Sequence, residues 1–112
     1  MIGGKPAVEA RVGLLASASG GLNSPVPSGT RSLLLVFRSL EQPGGEVRIG
    51  AVIDVVDGSA LVPGADEVPV VVRFWADEAA VYATPGAAFM IWYGRPVGTG
   101  VVTRVTDEVT GA

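Results

Sequence analysis

Apolar and polar residues alternate along this chain in short runs, and glycine or proline cuts almost every run from the next. From Ala7 to Leu15, Val8, Ala10, Val12 and Leu14 fall on one side and Glu9, Arg11 and Gly13 on the other. A period of two is that of a strand with one wet face. Residues 17–28 are rich in Ser, Gly, Asn and Pro and read as a loop. The run from Thr30 to Arg38 contains Leu33-Leu34-Leu35-Val36-Phe37, apolar on both faces, and Glu46 to Val56 places Val47, Ile49, Ala51, Ile53 and Val55 on one side. Asp57-Gly58 and Val62-Pro63-Gly64-Ala65-Asp66 signal turns. Val68 to Trp75 is a fourth strand. Residues 77–82 are poor in strand formers and read as a short helical or irregular connection.

The last third, from Pro85 to Val102, reads as a strand ending at Trp92-Tyr93, a tight turn through Gly94, and a second strand running to about Thr106. Gly98 and Gly100 in that second strand mark places where two backbones approach closely. Six short strands separated by turn residues predict an all-β domain: a small six-stranded antiparallel Greek-key β-barrel. Closure removes the strand edges that an open sheet would expose. The barrel is expected to span residues 7–106, between an N-terminal tail, 1–6, and a C-terminal tail, 107–112, that frays at its end.

Composition narrows the chemistry. The 112 residues hold 48% hydrophobic and 17% charged side chains, enough for one modest core in one domain. Cysteine and histidine are absent from the sequence, which excludes disulfides, thiolate nucleophiles, an imidazole base and the ordinary zinc sites. Net charge is −3 and Lys5 is the sole lysine, an unfavourable balance for a dedicated nucleic-acid binder. No apolar stretch reaches the roughly 18–20 residues of a membrane-crossing helix. The N-terminus lacks the apolar run of a signal peptide, so cytoplasmic location is the default expectation.

The motifs that could carry catalysis favour structural readings. The pairs Gly3-Gly4, Gly20-Gly21 and Gly44-Gly45 do not continue into a phosphate-binding G-x-x-x-x-G-K-[ST] loop, so GTP binding is not expected. Asp66-Glu67, Asp77-Glu78 and Asp107-Glu108 are adjacent pairs, which on strands point to opposite faces and on turns are solvated. Ser17, Ser19, Ser24 and Ser28 have no neighbouring base to activate them. No enzyme, cofactor or metal site is expected. The suggestive cluster is Trp92, Tyr93 and Arg95 around the last turn, residue types enriched at binding hot spots. The alternative is a ring that plugs the barrel end. Leu34 and Val36, outward if Leu33, Leu35 and Phe37 face in, would add an apolar patch beside Met90 and Trp92.

Gly86-x-x-Phe89-x-Ile91 followed by Gly94-Arg95-x-Val97-Gly98-x-Gly100-Val101-Val102 resembles the closing hairpin of the third domain of elongation factor Tu. Gly20-Gly21-x-x-x-Pro25, Gly29-Thr30-Arg31 and Val62-Pro63-Gly64-Ala65-Asp66 resemble, in order, that family's E-G-G-R-x-x-P, G-Y-R and M-P-G-D segments. The resemblance runs from about Val8 to Val105 and implies a six-stranded Greek-key barrel. In the family this barrel helps to hold the T-stem of aminoacyl-tRNA, meets the exchange factor and packs on two further domains. This chain departs from the pattern at those contacts. Ser19 and Leu22 replace a Glu and an Arg, Ser32 and Leu33 a Pro and a Gln, and Trp92-Tyr93 an Arg-Glu pair, while Arg31 and Arg95 persist.

Apolar groups at the contact positions the resemblance implies lead to the expectation of a non-catalytic protein-interaction module, self-associating or binding a protein partner, translation components included. Leu22, Arg31, Leu34, Trp92, Tyr93 and Arg95 are its candidate contact residues. The alternative is an RNA (tRNA)-binding module using Arg31, Arg95 and Arg104, which the charge balance disfavours.

Overall fold

The computed structural model describes residues 7–38 and 44–106, without the side chains of Arg31 and Ser32. It contains β1 (Ala7–Leu14), β2 (Thr30–Arg38), β3 (Glu46–Val55), β4 (Val68–Phe74), β5 (Ala88–Trp92) and β6 (Pro96–Thr106). A short helix, α1 (Ala79–Tyr82), lies between β4 and β5. The first four strands end within one residue of the runs expected from alternation, because the residues that break the pattern also break the ladder. At Gly58, φ is +80° and its N–H donates to the Val55 carbonyl, while at Gly64 φ is +88°. Both are left-handed turn positions that glycine adopts without strain. The tails expected at 1–6 and 107–112 lie outside the described residues.

The strands close into an antiparallel barrel in the order β1-β4-β3-β2-β5-β6, with β6 pairing back onto β1. In that ring β1 stands opposite β2, and β4 opposite β5. Residues 15–29 must therefore cross one end of the barrel and residues 75–87 the other.

Each crossing plugs the end it spans. At the first end, Val26 and Leu61 exchange backbone hydrogen bonds at 2.8 Å and both are buried, with Leu22 packed beside them against the core. At the second, α1 contributes buried Ala79, with Ala83 immediately after it, and Tyr82 joins Phe37, Phe74 and Phe89. The Phe37 ring sits 5.6 Å from Phe89, 6.1 Å from Phe74 and 6.4 Å from Tyr82, all tilted as aromatic pairs prefer. Between the plugs the interior is filled by inward residues of every strand, among them Val8, Val12, Leu33, Leu35, Ile53, Val72, Ile91 and Val97.

Glycine in β6 permits the tightest approach. A Cβ on Gly98 would run into the Gly13 carbonyl oxygen of the paired strand, and one on Gly100 would occupy the space of the Phe89 ring. Neither position has a positive φ, so space rather than backbone strain demands glycine. Further along the same pairing, the register shifts between Glu9 and Ala10.

Gly98→Ala should lower the stability by about 1–3 kcal/mol, the usual cost of overpacking, with an unchanged denaturant slope in urea titration. An unchanged midpoint would refute the close approach. In the turn after β3, the Asp57 carboxylate accepts the Ser59 hydroxyl at 2.6 Å and the Ser59 backbone N–H at 2.9 Å. These bonds, the hydroxyl first, favour the charged form and hold Asp57 below the ordinary aspartate range. A depressed carboxylate adds stability above its unfolded pKa and loses it as pH falls through the folded one. NMR titration should therefore find Asp57 still ionised at a pH where a free aspartate is half protonated. Ser59→Ala should raise it.

Candidate contact face

The outer surface of β2 and its neighbours brings apolar side chains into register. Leu34 pairs with Trp92 on β5 and with Gly50 on β3. Trp75, just past β4, donates its backbone N–H to the Gly50 carbonyl, and its indole lies across the face of that glycine. A Cβ on Gly50 would stand 2.8 Å from Trp75 Cδ1, so a side chain there would lift the ring away. The result is a stripe, Trp75–Gly50–Leu34–Trp92, running from the residue after β4 across β3, β2 and β5. In the next row Val36 pairs with Arg48 and with Met90.

Val36 stands outside the interior cluster yet is only 5% exposed. On β3 its register partner is Arg48. Its guanidinium carbon lies 4.3 Å from the centroid of the Trp92 ring, two strands away, so the arginine stem spans β2 above Val36. A guanidinium over an indole gains about 0.5–1 kcal/mol at an exposed site. The outer face thus has a second apolar layer, roofed in part by an arginine.

The structure separates the six residues expected to act together. Leu34 and Trp92 are direct neighbours on the stripe and both are half-buried. Tyr93 continues from Trp92 into the turn at the barrel end and is 44% exposed. Neither ring plugs that end, which Leu22, Val26 and Leu61 fill. Leu22 therefore belongs to the plug rather than to the stripe. Arg95 is committed locally: its Nε donates to the Gly20 carbonyl at 3.1 Å and a terminal nitrogen to the Gly21 carbonyl at 2.9 Å. It fastens the first crossing to the β5–β6 turn. The backbone of Arg31 lies where the β2–β3 register shifts, between Thr30 and Leu33, and its side chain is outside the described residues.

Two members of the face were not singled out from sequence. Trp75 is 49% exposed, and the signal for it was Gly50, a glycine inside an otherwise regular strand. Arg48 carried no local signal, because its partner is 44 positions away along the chain and two strands across the sheet.

Several arginines on the described surface are paired with acids at short range. Arg73 bonds Asp54, Arg104 bonds Glu9, and Arg11 lies 3.8 Å from Glu67. Among the described residues no group of three acidic side chains is placed to hold a metal ion. No helix among them is long and apolar enough to cross a membrane.

If Arg95 is a staple, Arg95→Ala should cost about 1 kcal/mol in thermal or urea unfolding and speed amide exchange at residues 16–21. Arg95→Lys should not restore protection, since an ammonium cannot reproduce the two-pronged bond. Full protection in the alanine variant would remove the staple. No protein-family model matches this chain and no curated protein matches it, so the chemistry of this face is argued from its own side chains.

Proposed function

We propose that this barrel is a non-catalytic protein-interaction module whose contact surface is the outer face centred on Leu34 and Trp92, extended by Met90 and Trp75. The observation that carries the reading is the continuity of the stripe across β3, β2 and β5. Isolated exposed apolar residues need no partner, whereas two indoles flanking a leucine in one register form a contiguous patch. Trp is also the residue type most enriched among binding hot spots. A closed barrel has no free strand edge to offer, so a partner has to be read by side chains on a face. The resemblance to the third domain of elongation factor Tu is the ground for including, within this same proposal, a partner linked to translation.

The RNA reading rests on Arg31, Arg95 and Arg104. Two of these guanidinium groups are engaged within the chain, Arg95 on the Gly20 and Gly21 carbonyls and Arg104 on Glu9. Phosphate binding through them would first have to break those bonds, and this favours the protein reading.

Truncating a central hot spot costs at least about 2 kcal/mol, or roughly thirtyfold in affinity. Trp92→Ala, with folding verified by circular dichroism, should therefore abolish self-association in sedimentation velocity, or remove a specific protein that wild type captures and Arg104→Ala still captures. Wild type sedimenting as a monomer, with the same captured proteins as the Trp92 variant, would sink the proposal.

A further inference from the structure

We infer that the stripe selects a protein segment carrying an Asp or Glu side chain next to an aromatic or aliphatic one, and that Arg48 is the residue that reads the carboxylate. This deepens the proposed function and rests on it. Three observations support it. Among the described residues, Arg48 takes part in none of the ion pairs, which join Arg11, Arg73 and Arg104 to acids. Around the stripe, Arg73 is matched by Asp54, and Glu46 lies opposite Arg38 in register and two residues before Arg48 on β3, so among the described residues the Arg48 guanidinium has a ring contact but no ion pair.

The third observation is the stacking. A guanidinium lying over an indole uses its face for the ring, while its N–H groups radiate in the plane of its edge. The ring thereby holds the fork in one orientation, so less side-chain entropy is lost when a carboxylate docks on it. A carboxylate bound at that edge sits beside Leu34, Met90 and Trp92, and the residue next to it would lie on the apolar stripe. Charge and shape thus ask for both groups together.

Single-stranded RNA is the competing occupant of an exposed aromatic face, since bases stack on such rings. Here the Arg48 guanidinium already stacks on Trp92 where a base would, Leu34, Val36 and Met90 offer no ring, and Trp75 lies beyond Gly50, two strands from Leu34. A second copy of the chain is the other competitor. Its corresponding face offers Asp54 already bonded to Arg73, and Glu46 opposite Arg38.

A random twelve-residue peptide library, displayed with its C-termini tethered so that only side-chain carboxylates are offered, tests the inference on the full chain. Wild type, Trp92→Ala, Arg48→Gln and Arg48→Glu are compared after circular dichroism shows each to be folded. Wild type should enrich sequences with Asp or Glu adjacent to Trp, Phe or Leu. Arg48→Gln should keep the apolar preference and lose the acidic one, and a synthetic peptide from the selected pool should bind it at least tenfold more weakly. Arg48→Glu should shift enrichment towards Lys and Arg.

Apolar peptides without acidic excess would overturn the role of Arg48 and leave the contact face standing. No enrichment over Trp92→Ala would overturn both. A twelve-nucleotide oligouridylate that binds wild type and is lost in Arg48→Gln would reassign the face to RNA. A dimer in sedimentation velocity that both Trp92→Ala and Arg48→Gln dissociate would reassign it to a second copy.

Discussion

Closure is the constraint on which the rest of this structure depends. With β6 paired onto β1, every strand has a neighbour on each side, and the sheet must curve tightly enough for six strands to meet. The curvature leaves little space where β6 passes β1 and β5. Gly98 lets the Gly13 carbonyl approach, and Gly100 makes room for the Phe89 ring. Once the ring order is fixed, β1 lies opposite β2 and β4 opposite β5, and the chain has to cross both ends. The end plugs therefore follow from closure as consequences of topology. The first is built by Val26, Leu61 and Leu22, with Arg95 fastening the loop that carries them. The second is built by α1 and the aromatic group around Phe37.

Much of this was legible in the sequence because it is local. Period-two alternation and β-branched composition located the strands, and Asp57-Gly58, Val62 to Asp66 and Gly94 located turns where the backbone is left-handed or tightly hydrogen-bonded. The glycines of β6 could also be read, since a glycine within a strand weakens it unless a close approach requires one. The outer layer was not legible. The run from Leu33 to Phe37 is apolar on both faces, which left open which residues point outward. The Arg48 guanidinium that reaches the Trp92 ring comes from β3, and Trp75 lies on Gly50 because β4 neighbours β3. Those contacts depend on strand order and register, which no local spacing encodes. Arg95 illustrates the same limit. In sequence it is a turn arginine beside two aromatic residues, and only the fold reveals the Gly20 and Gly21 carbonyls it holds.

Assigning Arg95 to the loop changes what the remaining residues can do. A cluster of Trp92, Tyr93 and Arg95 would be a mixed aromatic and cationic rim at the end of the barrel. With Arg95 turned to the loop and Leu22 sunk into the plug, the two tryptophans, Trp92 and Trp75, align instead with Leu34 and Gly50 along the flank. The cation that accompanies them is Arg48, and it comes from the opposite side of β2. The same residue types are present, but they face the side of the barrel rather than its end.

Three apolar residues near that end of the barrel, Leu22, Leu33 and Trp92, show how the fold decides which of them reaches the surface. Leu22 and Leu33 are taken up by the packing, one in the plug and the other 2% exposed in the interior. Each strengthens the barrel and, in doing so, removes itself from recognition. Trp92 cannot do likewise, because Ile91 already faces inward and a strand alternates. Its indole has to lie on the outer face, where Leu34 and the Arg48 guanidinium cover only part of it. Alternation on β5 therefore makes one of these apolar residues a surface feature while the fold absorbs the others, and this is why binding is argued to concentrate on that tryptophan.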